Sequence, residues 1–205
     1  MPFVYQQNIN LDTRLGVWHI AENEDYFKDV NVQRTITHPH KRLQHLAGRH
    51  LLRSLFPDFP INLVKIAQTR KPFLENDPFH FSISHCQDYA AAIISTTSRV
   101  GVDIEVPADK ILNLRQKFLN EEELLSPGPQ GLCLEDHLTL CWSVKEAIFK
   151  WYGLGGVDFR QHIHIKSITM TEGLFICNCI FYKDFAELKV KAMRINNIWL
   201  TWLVT

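Results

Sequence analysis

The stretch FHFSISHCQDYAAAIISTTSRVGVDIEV, Phe79–Val106, contains three consecutive strand signals. The three runs, Phe79–Ser84, Tyr89–Ser95 and Arg99–Val106, are rich in β-branched and aromatic residues or alternate apolar with polar ones. Short polar turns separate them, and such turns join antiparallel strands, whereas parallel strands need long crossovers. The stretch therefore predicts antiparallel strands in the middle of the chain.

Helical patterns lie on both sides of this stretch. His38–Phe56 places Leu43, Ala47, Leu51 and Leu55 on one face, as a helix packed on a core requires. The other predicted elements are strands at Leu15–Ile20 and Asn62–Ala67, helices at Asn113–Leu125 and Glu135–Tyr152, a loop at Ser126–Gly131, and several strands between Phe159 and Thr205.

The order of strand, long helix and strands occurs twice, with a break near Pro107. This order predicts an α+β fold rather than strict βαβ alternation. We expect two pseudo-symmetric halves, residues 1–106 and 107–205, each a small antiparallel sheet packed with a long helix.

The composition excludes several classes of protein. Lys and Arg together number 22, as do Asp and Glu, and this balance argues against a general binder of nucleic acid. Five cysteines make an odd count, which does not favour a disulfide framework. The first residues lack the pattern of a signal peptide, and no apolar run approaches the ~18 residues that span a bilayer. We expect a cytoplasmic protein with no membrane partner.

The segment Gly101–Val106, GVDIEV, places two acids on one face of a strand. Gly101, Asp103 and Glu105 alternate with apolar residues that would point into the core. The Cβ atoms of the two acids would lie about 6–7 Å apart. A divalent cation such as Mg²⁺ would relieve their repulsion, whereas a solvated strand face would spread the charges into water.

Two further polar groups allow both a functional and an ordinary interpretation. In WSVKEAIFKWYG, Trp142–Gly153, Glu146 and Lys150 are neighbours one helical turn apart, which is also the spacing of an ordinary exposed ion pair. In HFSISHC, His80–Cys86, we expect Ser82 and Ser84 to face outward, with His85 either binding a phosphate or capping a turn.

Cations could hold a phosphorylated ligand beside these groups. Arg42, Arg49 and Arg53 fall within about 40° of one another on the first helix, which favours either a phosphate site or a solvated basic ridge. Lys71 adds a cation just before Pro72. The histidines and cysteines lack zinc-ligand spacing, and no Rossmann, P-loop or hydrolase motif is present.

Taken together, these motifs resemble the 4'-phosphopantetheinyl transferases of the long, surfactin-synthetase-activating type, over about residues 38–156. That family has a basic helix, K-P, I-S-H, G-[IV]-D-I-E and W-[ST]-x-K-E-x-x-x-K, in this order. Here the motifs stand at Lys41–Arg53, Lys71-Pro72, Ile83–His85, Gly101–Glu105 and Trp142–Lys150.

The resemblance implies that coenzyme A binds between the halves of a monomeric pseudo-dimer and donates phosphopantetheine to a serine of an acyl or peptidyl carrier protein. It implies catalytic roles for Glu146 and Lys150, and a Mg²⁺ site at Asp103, Glu105 and Glu146. Residues implied to bind coenzyme A are Lys71, Ser84, His85 and Lys150, together with the loosely aligned Arg42, Arg49 and Arg53.

Three positions depart from the family pattern, namely Arg70 before K-P, Cys86 after I-S-H, and Leu154 between two glycines. Two other functions stay open: a non-catalytic module that binds coenzyme A or a carrier protein, and another Mg²⁺-dependent phosphotransferase. We expect an acidic carrier protein to dock on Pro107–Leu125, with Leu112 and Phe118 at the contact.

Overall fold

A computed structural model describes residues 3–30, 36–76 and 78–205. Its first sheet is antiparallel, with four strands in the spatial order β1-β2-β6-β5. The pair β3 and β4 forms a separate small hairpin. The strands are β1 (Phe3–Asn8), β2 (Thr13–His19), β3 (Lys65–Ile66), β4 (Pro72–Phe73), β5 (His80–Cys86) and β6 (Tyr89–Ser95).

The second sheet is antiparallel and has five strands in the order β7-β11-β10-β9-β8. The chain enters it at β7, crosses to the far edge at β8 and returns strand by strand, so that β11 finally pairs with β7. Its strands are β7 (Val100–Glu105), β8 (Ile163–Thr171), β9 (Leu174–Phe181), β10 (Ala186–Ile195) and β11 (Ile198–Val204).

One long helix packs on each sheet. Helix α1 (Pro39–Leu55) begins with a proline in its first turn, buries Leu51 and Leu52, and covers the first sheet. Helix α4 (Leu134–Tyr152) covers the second sheet and ends at Gly153, whose φ of 72° is the left-handed conformation that suits glycine. These two layers confirm the predicted α+β class. Within the described parts of the chain, no helix has both the length and the apolarity needed to cross a bilayer.

A third apolar cluster joins the two sheets directly. Residues of β2 and β6, including Leu15 and Ile93, pack there against β7 and β11 without an intervening helix. Val102 and Ile104 of β7 point into this cluster, so the opposite face of β7 is directed at α4. The predicted alternation of faces along β7 is therefore present.

The predicted helix Asn113–Leu125 is wrong as a single element. The structure has α2 (Lys110–Phe118) and α3 (Glu121–Leu125), followed later by the short α5 (Phe159–His162). The Asn120 side chain accepts from the Glu123 amide while the Glu123 carboxylate accepts from the Asn120 amide, which is a capping box that begins a new helix. Likewise, the predicted strand Asn62–Ala67 is a 3₁₀ turn, Ile61–Leu63, followed by the two residues of β3.

A buried cation holds these short helices against α4. The Lys145 side chain is fully buried, and its ammonium donates to the Glu123 carboxylate at 2.7 Å. The same ammonium lies 2.9, 3.0 and 2.7 Å from the backbone carbonyls of Phe118, Phe159 and Ile163, so its three hydrogens are shared among four acceptors. Because every partner comes from a different turn, this one side chain fixes α2, α3 and α5 around the helix.

The edge strands β5 and β7 meet where the two sheets join. The Ser82 hydroxyl accepts from the Val102 amide at 3.1 Å, and the Ser84 hydroxyl accepts from the Ile104 amide at 3.3 Å. Ser82 and Ser84 are buried, so the expectation that they face outward is wrong, because they satisfy the unpaired edge of β7. Sheet pairing also places β7 in the second sheet, whereas the prediction counted it with residues 1–106; the division of the chain at 106 stays a prediction.

Candidate active site

The two elements with the strongest sequence motifs, β7 and α4, lie in direct contact. Gly101 makes this possible, because a Cβ at that position would collide with the Ala147 carbonyl and with the Trp151 side chain. The close approach places Asp103 and Glu105 of β7 opposite Trp142, Ser143 and Lys150 of α4. Glycine thus sets the distance between the acids and the helix.

Asp103 is the centre of the polar network. Its side chain is 2% exposed. The carboxylate Oδ1 accepts from the Ser84 hydroxyl at 2.8 Å and from the Lys150 ammonium at 2.5 Å, while Oδ2 accepts from the Ser143 hydroxyl at 2.8 Å. Since each carboxylate oxygen has two lone pairs, Oδ1 is fully used and Oδ2 keeps one lone pair.

Glu105 lies at the end of the same strand face and is held by two weaker partners. The indole Nε1–H of Trp142 donates to Oε1 at 3.1 Å, and the Cys86 thiol donates to Oε2 at 3.4 Å. Burial, followed by the charge of Asp103, raises the pKa of Glu105. Burial and the Glu105 charge also raise the pKa of the Cys86 thiol to about 11, so it stays protonated and able to donate.

Glu146 faces the other two acids from α4. Burial raises the pKa of its carboxyl to about 7; the charges of Asp103 and Glu105 act in the same direction, and Lys150 opposes them. Among the described residues, no hydrogen bond reaches the Glu146 carboxylate. This acid is therefore within electrostatic reach of Asp103 and Glu105 but has no fixed partner.

The three acids suit a divalent cation by their chemistry. Across residues 3–30, 36–76 and 78–205, no three His, Cys, Asp or Glu side chains are grouped tightly enough to form a metal site as they stand. However, all donors are hard oxygens, Asp103 and Glu105 keep unused lone pairs, and the charges of Asp103 and Glu105 both raise the pKa of Glu146. These features fit Mg²⁺, and the ligand set Asp103, Glu105 and Glu146 stays a prediction.

Two lysines that the sequence separates by 79 positions, Lys71 and Lys150, line one cavity of about 390 Å³ together with Arg70 and Phe149. Lys71 comes from the turn between β3 and β4, and its ammonium donates to the Trp151 carbonyl at 3.3 Å, near the end of α4. A Cβ at Gly153 would collide with the Lys71 side chain, which explains why glycine suits that position. The cavity thus joins the K-P motif to the last lysine of α4.

His85 lies at the end of β5 and contacts α1 through a second imidazole. The rings of His45 and His85 are 5.3 Å apart, and the Arg49 guanidinium lies 3.3 Å from His45 Nδ1. Burial, followed by the charge of Lys150, lowers the pKa of His85. Burial also lowers the pKa of Arg49. The structure therefore brings His85, Arg49 and Lys150 into one electropositive region.

The other predicted phosphate contacts have different surroundings. Arg42 forms an ion pair with Glu24 at 3.0 Å, and Arg53 lies exposed in the last turn of α1. The Ser84 hydroxyl is occupied by Asp103, Lys150 and the Ile104 amide. The predicted binding roles of Arg42, Arg53 and Ser84 stay predictions, and only Arg49 joins the group around His85.

Sequence reasoning missed several residues of the site. Trp142 and Ser143 lie inside the helix motif but carried no predicted role, although they bond Glu105 and Asp103. Thr201 and His45 carried no signal either, because their partners come from strands and helices distant in sequence. Only the pairing of β11 with β7 places Thr201 opposite Asp103.

Comparison with known proteins finds similarity in the part of the chain that contains these acids and Lys150. A family model described as the 4'-phosphopantetheinyl transferase superfamily matches residues 99–197, which contain Asp103, Glu105, Glu146 and Lys150. Enterobactin synthase component D of Salmonella typhi is 33% identical over 113 residues, which make up 54% of this chain and 47% of that protein. The chain thus spans about half the length of the curated relative that it matches.

Proposed function

We propose that the chain transfers 4'-phosphopantetheine from coenzyme A to a serine of an acyl or peptidyl carrier protein with the aid of Mg²⁺, since residues 99–197 match the family model of the 4'-phosphopantetheinyl transferase superfamily. The family match covers the two acids of β7 and the whole of α4. The substrates and the metal are part of the proposal. We also propose that the protein acts as a monomer, with both halves of the chain contributing to the site.

One observation carries the proposal. The cavity lined by Lys71 and Lys150 opens beside Asp103, because Lys150 both lines it and bonds the Asp103 carboxylate. A site with cations along a cavity and acids at one end matches a substrate that has phosphates along its length and reacts at one of them. Coenzyme A, with a 3'-phosphate and a pyrophosphate, has this chemistry.

The cations would hold the two ends of coenzyme A. Lys150 would bind the pyrophosphate, while Lys71, His85 and Arg49 would bind the 3'-phosphoadenosine end. Arginine and lysine side chains in a partly buried site bind phosphate more strongly than they would in water. Arg42 and Ser84 would contribute after release from their present partners, and Arg53 would contribute from its exposed position in the last turn of α1.

The reaction is a phosphoryl-type substitution. The carrier serine oxygen attacks the β-phosphorus of coenzyme A, a new P–O bond forms, and the bond to the leaving 3',5'-ADP breaks. Glu146, whose carboxylate has no hydrogen-bond partner among the described residues, accepts the serine proton. Lys150 stabilises the charge that develops on the phosphate oxygens. Bound Mg²⁺ would be held by Asp103, Glu105 and Glu146 and would neutralise charge on the pyrophosphate.

The proposed docking surface for the carrier protein is α2, within the segment Pro107–Leu125. Its exposed side chains include Lys110, Arg115 and Lys117, which suit an acidic partner, and Leu112 is only half-buried. Phe118 is 1% exposed and packs edge-on against Trp142, so it is a core residue and the predicted contact through Phe118 is wrong.

The experiment that tests this function is intact mass spectrometry of an apo carrier protein incubated with the chain, coenzyme A and MgCl₂. We expect the mass of one phosphopantetheine to be added, and we expect the addition to disappear with EDTA and with Glu146→Ala. Glu135→Ala is the matched control, since Glu135 lies in the first turn of the same helix and is only partly buried.

Two outcomes would contradict the proposal. Coenzyme A binding without modification of fatty-acid, polyketide or peptidyl carriers would indicate a non-catalytic binding module. Turnover of ATP without a carrier protein would indicate a different phosphotransferase. Modification that persists in EDTA would refute the role of the metal alone.

A further inference from the structure

A chain of three buried polar residues extends from β11 through α4 to the centre of the site. Thr201 and Ser143 are both 0% exposed, and Asp103 is 2% exposed. Thr201 is the cross-strand neighbour of Asp103, yet its hydroxyl contacts Ser143, lying 3.0 Å from Ser143 Oγ and 2.9 Å from the Ser143 carbonyl. Ser143 in turn donates to Asp103 Oδ2 at 2.8 Å.

Counting hydrogens shows which hydroxyl donates in each contact of this series of three residues. A hydroxyl has a single hydrogen. Ser143 uses its hydrogen on the Asp103 carboxylate, which has none to offer, so Thr201 must be the donor in its contact with Ser143. Its hydrogen is shared between the Ser143 hydroxyl and the Ser143 carbonyl. Thr201 thereby fixes the orientation of the Ser143 side chain.

We propose that Thr201 is a positioning residue that acts through Ser143 to hold the Asp103 carboxylate in the orientation in which it would bind a divalent cation. Serine in a helix readily turns its hydroxyl to the carbonyl four residues earlier, here that of Thr139. The Thr201 hydroxyl opposes this rotation. This inference rests on the proposed function, in which Asp103 is a ligand of the metal.

The side chains around Asp103 leave few alternatives for its orientation. Oδ1 is held by Ser84 and Lys150, and the carboxylate can still rotate about this side unless Oδ2 is also fixed. Ser143 supplies the hydrogen bond to Oδ2, and its hydroxyl is fully buried. Partners of metal ligands of this kind typically change metal affinity by ~10–100-fold when they are removed.

The test compares Thr201→Val, which removes only the hydroxyl, with Thr201→Ser, which keeps it. Mn²⁺ affinity is measured by electron paramagnetic resonance on the full chain with coenzyme A and no carrier protein, so that no turnover occurs. We expect T201V to weaken Mn²⁺ binding by about 10-fold or more, and T201S to bind as the wild type does. Coenzyme A affinity without metal should be unchanged in both.

The chain offers a matched control in the first sheet. Thr13 donates to Ser95 at 2.9 Å, and both side chains are 0% exposed, so this is a second buried hydroxyl pair. Thr13→Val should lower the melting temperature about as much as T201V while leaving Mn²⁺ affinity unchanged. Because Thr201 acts through Ser143, T201V should have little further effect in a Ser143→Ala background. If T201V does not fold, Ser143→Ala alone should show the same loss of affinity.

The outcomes separate this inference from the proposed function. If the wild type binds Mn²⁺ and the T201V variant binds it with the same affinity as the T13V variant, the positioning role alone is overturned. Additive effects of S143A and T201V on Mn²⁺ affinity would overturn it as well. Loss of affinity in T201V without carrier modification by the wild type would support the positioning role and overturn the transferase proposal. Absence of Mn²⁺ binding by the wild type would overturn the positioning role and the role of the metal, whereas carrier modification would decide the transferase proposal.

Discussion

The Lys150 ammonium is bonded to the Asp103 carboxylate, with Nζ 2.5 Å from Oδ1, although Asp103 lies on β7 and Lys150 lies 47 positions later on α4. The Ser84 hydroxyl bridges the same two groups, donating to Asp103 and accepting from Lys150 at 2.7 Å. Lys150 is thus the counter-ion of the most buried acid in the site. The side chain is also 25% exposed, so its ammonium can reach a ligand in the adjoining cavity.

Replacing Lys150 by methionine should remove the cation that stabilises the transferred phosphate. We expect Lys150→Met to lower kcat for carrier modification by about 10²–10³-fold, the usual effect of losing one group that stabilises developing charge. The measurement is single-turnover mass spectrometry. Lys166→Met is the control, because Lys166 forms an exposed ion pair with Glu122 away from the site. Equal rates for both variants would remove Lys150 from the reaction.

Glu146 should make the stability of the metal-free chain depend on pH. Its folded-state pKa of about 7 exceeds its ordinary value of 4.5. The protonated acid therefore contributes stability that is fully present below about pH 4.5 and is lost as the pH rises through about 7. Glu146→Gln stays neutral, so at pH 8 its free energy of unfolding should exceed that of the wild type by on the order of 2 kcal/mol. Near pH 5 the two should be close.

Urea denaturation in EDTA at both pH values measures this difference. Glu187→Gln, which changes an exposed acid on β10, should have no effect at either pH. A Glu146→Gln variant no more stable than the wild type at pH 8 would show that the carboxylate is solvated or paired in solution.

Lys145 and Glu123 form a buried ion pair, and removing one partner should destabilise the fold more than removing both. Lys145→Met leaves the Glu123 carboxylate buried without its counter-ion, although the Asn120 and Ile165 amides still donate to it. We expect a loss of about 3–5 kcal/mol in the free energy of unfolding. Lys145→Met with Glu123→Leu removes both charges and should be less destabilised than Lys145→Met alone. Lys65→Met, at an exposed ion pair with Glu75, should cost under about 1 kcal/mol. Thermal and urea denaturation measure all three; a double variant less stable than Lys145→Met would contradict this account.

The basic face of α2 should determine affinity for the carrier protein. Arg115→Glu with Lys117→Glu should raise the KM for the carrier several-fold and reduce its dependence on salt, because complementary charge mainly speeds association. The KM for coenzyme A should not change. Leu112→Asp should act in the same direction, and Lys189→Glu on the exposed face of β10 is the control. Equal effects on both substrates would show that α2 supports the fold rather than docking.

Local pattern was enough to predict the main elements. The core face of α1 is visible in residue spacing, and strict alternation along β7 correctly put Asp103 and Glu105 on one face. These features depend on neighbours within a turn or along one strand. The prediction that these acids form a site together with α4 depended on the presence of all the motifs in one chain.

Features that depend on distant partners could not be predicted in this way. Alternation says which side Ser82 and Ser84 occupy, but only the approach of β7 decides that this side is buried. The pairing of β7 with β11 spans almost half of the chain, and no local pattern reveals it. Lys145 reads as a surface residue of an amphipathic helix until α2, α3 and α5 are known to surround it.

The hydroxyl contacts between β5 and β7 also bear on self-association. Each of these strands is the last in its sheet, and an open edge is a template on which another chain can add a strand. Ser82 and Ser84 occupy the amides of Val102 and Ile104, so neither edge is available while the halves are joined. A fragment ending before Val100 would expose β5, and we expect it to aggregate. The junction that forms the site therefore also covers two of the four edges of the two large sheets.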